Sequence, residues 1–313
     1  MAYRWWQELP PAAGSFVMAT GIVSVGLHLT GFEAVSWIFL ALAAVIWVLL
    51  AVDFGSRLLW NRDRWSAEAD TPPALTAVAA TTVLGTRLAL LGLNELGVAL
   101  LVLATAVWPI LLSAVMRHWQ RGMPGAAFLV CVSTQGLAVL AATLALEDGR
   151  RWLMSAALIC FCLGLLLYVA AFSHFDLPQI WTGSGDQWVA TGALAISALA
   201  GSKLTMAQQW TGLPHNVIQV TTLIVLGLNM IGYGVLLLAE AIRPRPHYDI
   251  RRWATVFPLG MTAVATYSTG SAIHVDALRT VGTILLAVAV GGWLLTFVAL
   301  LTDRTTFHPQ HAH

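Results

Sequence analysis

Apolar residues run through this chain in long blocks, not in the narrow stripes of a soluble amphipathic helix. Ten blocks stand out, at roughly 12–30, 35–52, 73–92, 96–116, 126–146, 152–173, 188–206, 217–240, 253–273 and 280–301. Each is close to the ~20 residues that a helix needs to cross the hydrocarbon of a bilayer. The loops between them are short, and no linker or change of composition marks a second domain. The expected fold is all-α: one polytopic membrane domain over residues 1–313, with ten transmembrane helices.

The polar residues are spread unevenly over these spans. Span 2 has Ser36 as its one small polar residue, and spans 4 and 6 are nearly as plain. Span 1 carries Gly14, Ser15, Thr20, Gly21, Ser24 and Gly26; span 3 carries Thr81, Thr82, Gly85 and Thr86. Span 5 has Thr134, Gln135 and Gly136, and span 7 has Thr191, Gly192, Ser197 and Gly201. Lipid solvates plain faces, whereas small and hydroxylated residues mark close packing or a lined cavity. The odd-numbered spans are therefore expected inside and the even ones outside. Spans 8 and 10 blur the alternation. Gly227, Asn229, Gly232 and Gly234 in span 8 suggest a helix seam, either within the chain or between subunits. A short element recurs on the odd spans, at Thr20-Gly21, Gly85-Thr86, Gln135-Gly136, Thr191-Gly192 and Thr269-Gly270. It suggests five helical hairpins.

Span 9, Trp253 to Ile273, is the most polar. Pro258 is expected to interrupt it, because proline has no N–H and its ring crowds the preceding turn. Its hydroxyls, Thr266 among them, either bond back to their own helix or line a wet path.

Composition narrows the function. Hydrophobic residues make up 58% and charged residues 10%, with mean hydropathy +0.77 and net charge +1. Soluble domains carry about 25% charged residues, and no basic field points to nucleic acid. Eleven arginines gather at one set of span ends: Arg4, Arg57, Arg62, Arg64, Arg117, Arg121, Arg243, Arg245, Arg251, Arg252 and Arg304. Arg150, Arg151 and Arg279 mark the other. The bias predicts both termini in the cytoplasm. Cys131, Cys160 and Cys162 lie in apolar spans, so neither a metal site nor a cofactor is expected. His174/Asp176 and His274/Asp276 fall on opposite faces and read as solvated loop residues. With no phosphate loop or catalytic cluster, the chain is not expected to be an enzyme.

Two cations stand within the spans. Arg87 lies past the middle of span 3 and Lys203 near the end of span 7. Ionisable groups at depth face the bundle interior or water, so the pair is expected to polarise an outer vestibule toward anions. For Lys203, snorkelling to the headgroups is the alternative.

The segments LPPAAGSFVMATGIVSVGL (9–27), GALAISALAG (192–201) and WATVFPLGM (253–261) resemble the tellurite-resistance/dicarboxylate transporter family. Bacterial tellurite-resistance proteins, yeast malate and sulfite transporters and plant slow anion channels belong to that superfamily. The resemblance covers essentially the whole chain. It implies five hairpins around a central pore, a homotrimer with one pore per subunit, and a bacterial inner-membrane location. It also implies a phenylalanine plug on the ninth helix; Phe257, beside Pro258, matches that position. The expected path runs past Arg87, Thr20, Gly21, Thr86, Thr134, Gln135, Thr191 and Thr266. The expected substrate is a small anion, C4-dicarboxylates such as malate first. Channel-like passage or efflux of sulfite, tellurite, chloride or nitrate is the alternative. A non-transporting membrane sensor is the remaining one.

Overall fold

The computed structural model describes residues 11–244 and 248–302. Arg4, Arg245 and Arg304, counted in the charge bias, lie outside the described residues. Within them the chain is all-α, with no β-strand. In order, the helices are α1 (Gly14–Leu29), α2 (Glu33–Trp60), α3 (Arg62–Ala69), α4 (Thr76–Ala89), α5 (Asn94–Arg117) and α6 (Leu129–Asp148). Then come α7 (Arg151–His174), α8 (Gln179–Thr182), α9 (Val189–Thr205), α10 (Leu213–Ile242), α11 (Trp253–Ala272) and α12 (Asp276–Thr302).

Two layers are present. Helices α1, α4, α6, α9 and α11 pack on one another in that cyclic order, and α11 closes on α1. Nearly every residue of these five is buried. Helices α2, α5, α7, α10 and α12 lie outside them, each against the buried helix before it in the chain and the next one round. Only 17–39% of the most apolar stretch of each outer helix is covered. Among the described residues, seven segments are long and apolar enough to cross a membrane: α1 and α6 with their preceding turns, and all five outer helices. Helices α4, α9 and α11 fall below that measure. Enclosed by other helices, they meet little lipid and can keep their hydroxyls.

The closed order depends on close backbone approach. Each buried helix is entered through a 3-10 turn: Pro11–Ala13, Pro72–Leu75, Gly125–Phe128, Asp186–Trp188 and Ile250–Arg252. At the seams stand glycines. A Cβ on Gly21 would lie 2.8 Å from Val83 of α4, and one on Gly260 would lie 2.8 Å from Ile22 of α1. One on Gly136 would collide with the Thr82 hydroxyl of α4. Larger residues here would push neighbouring helices apart.

Polar bonds tie the outer layer to the inner one. Trp47 Nε1 of α2 donates to Thr81 Oγ1 of α4 at 2.9 Å, and Trp108 Nε1 of α5 to Thr134 Oγ1 of α6 at 3.0 Å. Trp293 Nε1 of α12 donates to Thr20 Oγ1 of α1 at 3.0 Å, and Asn229 Nδ2 of α10 to Thr262 Oγ1 of α11 at 3.2 Å. Each of these four bonds runs from an outer helix to a buried one, linking α2 to α4, α5 to α6, α10 to α11 and α12 to α1. Trp293 also packs on Phe39, Trp253 and Phe297, with ring centroids 4.8, 5.8 and 4.8 Å away. Trp293→Phe keeps most of the ring contact and removes the N–H. It is expected to lower stability by about 0.6–1.5 kcal/mol, read as an earlier unfolding midpoint in detergent. An unchanged midpoint would remove this bond from the account.

Two expectations change here and a third becomes specific. Pro258 does not interrupt span 9: α11 runs unbroken through it. The ring finds room against Gly192 of α9, where a Cβ would lie 2.8 Å from Pro258 Cγ. Helix α2 continues to Trp60, and the following loop holds α3. Arg57 is the reason, since it pairs with Asp53 one turn earlier and with Glu68 on α3, which Arg64 also holds at 2.9 Å. The seam in span 8 is partly internal. Asn229 bonds to α11 and Gly232 faces Thr191 of α9, whereas Gly227 and Gly234 have no atom within 4 Å of an added Cβ.

Candidate functional site

On the axis of the five buried helices lies a cavity of only about 10 Å³, room for roughly one water. All five helices contribute to its wall. Ile22 and Val25 come from α1, Thr82, Val83 and Thr86 from α4, Gly136 and Val139 from α6, Ile196 and Leu199 from α9, and Met261 from α11. The two hydroxyls are already committed. Thr82 Oγ1 donates to Ala79 O at 2.9 Å and Thr86 Oγ1 to Thr82 O at 2.8 Å. The middle of the axis is thus a narrow, apolar constriction, where a bare ion would lose its hydration without replacement.

Phe257 stands one turn before Met261 on the same face of α11. It is 1% exposed. A Cβ on Gly192 would lie 3.3 Å from Phe257 Cε1, so the missing side chain on α9 is what lets the phenyl ring seat.

Residues 8–301 match the family described as voltage-dependent anion channel. The chain belongs to that family. The resemblance drawn from the three segments and this match agree, since the transporter family lies within the same superfamily. Two curated relatives, both described as uncharacterized membrane proteins and both from strains of Mycobacterium tuberculosis, are 32% identical over 126 residues. The match takes in 36% of this chain and spans 61% of the length of those relatives. Together with its apolar helices, these matches make the protein a multi-pass membrane protein.

In this voltage-dependent anion channel family member, the expected path residues are dispersed. Thr86 borders the axial cavity, and Gly21 gives α1 its close approach to Val83, which also borders it. The others do not border that cavity. Thr20 and Thr134 accept the tryptophan bonds described above. Gln135 Nε2 donates to Phe161 O of α7 at 3.0 Å, turning toward the outer layer. Thr191 Oγ1 donates to Trp188 O at 2.8 Å and its methyl faces Gly232 of α10. Thr266 Oγ1 donates to Thr262 O at 2.7 Å, the back-bonded arrangement.

Arg87 is fully buried, and its surroundings were not legible as a set. Its Nη2 donates to Glu33 at 3.1 Å and to Ser36 Oγ at 3.0 Å; its Nε lies 3.3 Å from Ser24 Oγ and 3.2 Å from Ser36 Oγ. Ser24 and Ser36 also bond each other's carbonyls, at 2.8 and 2.7 Å. Glu33, about half exposed, is shared with His28. Nη1 of Arg87 has no hydrogen-bond partner. The cation therefore joins α4 to the α1–α2 hairpin while keeping one donor free. Lys203 is half-buried at the end of α9, with Glu147 as its charged neighbour. Of the two cations of the expected vestibule, Arg87 thus has a carboxylate beside it. Ser24 and Glu33 were visible in the sequence, but nothing in their spacing paired them with Arg87. Among the described residues, no cluster of three or more His, Cys, Asp or Glu could hold a metal ion.

Proposed function

We propose that this protein moves small anions across the bacterial inner membrane along the axis of its five buried helices, C4-dicarboxylates such as malate first. One observation carries the reading: a single constriction is walled by all five helices at once. A wall built this way lies where the whole ring converges, and small shifts of any of the five helices change its bore. Family membership supports anions as the cargo. In the same reading all ten long helices cross the bilayer as five hairpins, both termini are cytoplasmic, and three copies assemble with one path each.

As described, the path is closed. Apolar constrictions block ions by excluding water; Met261 supplies bulk on the α11 side, and Phe257 sits one turn away against Gly192. Conduction then requires those side chains to move off the axis. Arg87, with its unpartnered Nη1 beside two serine hydroxyls, draws anions toward one end of the path. Helix termini do not contribute at Pro258, because α11 is continuous there.

The test is flux into proteoliposomes, with labelled malate run beside chloride and nitrate. Malate uptake that exceeds leak in empty vesicles and responds to a pH gradient supports a dicarboxylate carrier. Passage of chloride and nitrate without malate moves the reading to an inorganic-anion channel. Flux of none of the three, from protein verified as folded, removes transport of these anions.

A further inference from the structure

At the end of the buried ring away from its 3-10 turns, three ionisable side chains stand in a row. His28, in the last turn of α1, meets Glu33 Oε1 at the start of α2 through its Nδ1. The other oxygen of Glu33 accepts from Arg87 Nη2 of α4 at 3.1 Å. An ionised carboxylate only accepts hydrogen bonds, so the Nδ1 that faces it carries a proton whether the ring is neutral or charged. The second ring nitrogen, Nε2, has no hydrogen-bond partner and is not sealed from solvent; the His28 side chain is 23% exposed. Imidazole is the side chain whose charge changes between about pH 5 and 8. We propose that a proton taken from solvent on Nε2 of His28 turns this end of the path from neutral to net positive, and so governs anion entry by pH. The inference rests on the transport reading above and adds its regulation.

The charges count as follows. With His28 neutral, the Arg87 cation and the Glu33 anion cancel. With His28 protonated, one carboxylate stands between two cations, and the cluster carries a net positive charge. Its place relative to the axis gives that charge an effect. His28 lies one turn beyond Val25, on the same face of α1, and Arg87 directly follows Thr86; Val25 and Thr86 both wall the axial cavity. The 3-10 turns that open the buried helices touch one another in succession at the opposite end. All five helices therefore turn their carbonyl ends, of partial negative charge, toward His28. An anion arriving there needs side-chain cations to offset them. Helices α11 and α12 also pack on α1, and with the turn between them they carry Tyr267, His274, Asp276 and Arg279. Arg279 pairs with Asp276 at 3.1 Å and lies over the Tyr267 ring. Among the described residues, none of these four bonds to His28 or Glu33.

Flux into proteoliposomes holding the full chain tests this, with chloride, nitrate and malate measured as the pH is lowered from about 8 to about 5.5, on each side of the membrane in turn. In the parent, acidifying one side is expected to raise flux by roughly tenfold, the lower end of what a focused charge does for association. His28→Asn keeps an N–H for Glu33 but cannot gain a charge, and is expected to lose that rise. His28→Lys carries the charge throughout this range and is expected to hold the higher flux at every pH. The protonation of malate itself is common to all three proteins, so the difference between parent and variant is what counts. Unfolding midpoints at each pH correct for loss of folded protein. Superimposable pH profiles in parent and His28→Asn overturn the inference and leave transport standing. A His28→Lys profile that still rises on acidification overturns it as well. Flux of none of the three anions at any pH, from folded protein, removes the transport reading and this regulation with it.

Discussion

Phe257→Ala is expected to raise the flux of chloride or nitrate through reconstituted protein by about a hundredfold or more. That factor corresponds to only ~3 kcal/mol of barrier, a modest fraction of the cost of carrying a bare ion past an apolar wall. The same substitution has a structural cost. Phe257 is almost fully buried against α9, and emptying such a site destabilises a core by about 3–5 kcal/mol. The two effects are separable if flux per folded molecule and the unfolding midpoint are measured together. Gly192→Ala helps to separate them, because its added methyl crowds the Phe257 ring and Pro258 without removing the aromatic group. A variant of Phe257 that loses stability without gaining flux assigns the ring to packing alone.

Arg87→Met is expected to have the second-largest effect, on folding as well as on transport. It leaves Ser24 and Ser36 with each other but strips Glu33 of its buried partner. Removing one member of a buried, hydrogen-bonded ion pair costs about 3–5 kcal/mol where the remaining charge stays buried. Here Glu33 is about half exposed, so the loss should fall toward the low end of that range. Glu33→Gln is therefore the informative companion, because it leaves Arg87 buried with serine hydroxyls and no counter-charge. It should destabilise at least as strongly as Arg87→Met. If Arg87 also draws anions, Glu33→Gln should raise anion affinity at the Arg87 end of the path while Arg87→Met lowers it. Equal flux in parent, Glu33→Gln and Arg87→Met, after correction for folded protein, would leave Arg87 purely structural.

The primary sequence determined the class of molecule, because the bilayer imposes a length and a polarity that are written locally. A helix enclosed by other helices can carry threonine and glycine, and a helix facing lipid cannot do so cheaply. The hydroxyl-bearing segments of α4, α9 and α11 differ from plain α2, α5 and α7 in the sequence itself. Family membership was legible for the same local reason, in segments such as WATVFPLGM. Side-chain direction was not. That Trp293 and Trp108 reach Thr20 and Thr134 from other helices is visible only in the structure. Pro258 looks like a break until Gly192 is seen to make room for it. Arg87 looks like a lone cation until Glu33, Ser24 and Ser36 converge on it. In each case the deciding partner lies on another helix, and the rotation of one helix against the next is set by packing, not by its own residues. The apolar wall of Ile22, Ile196, Leu199 and Met261 went unseen for that reason: in a membrane chain such residues are everywhere, and only the closing of five helices puts these on one axis.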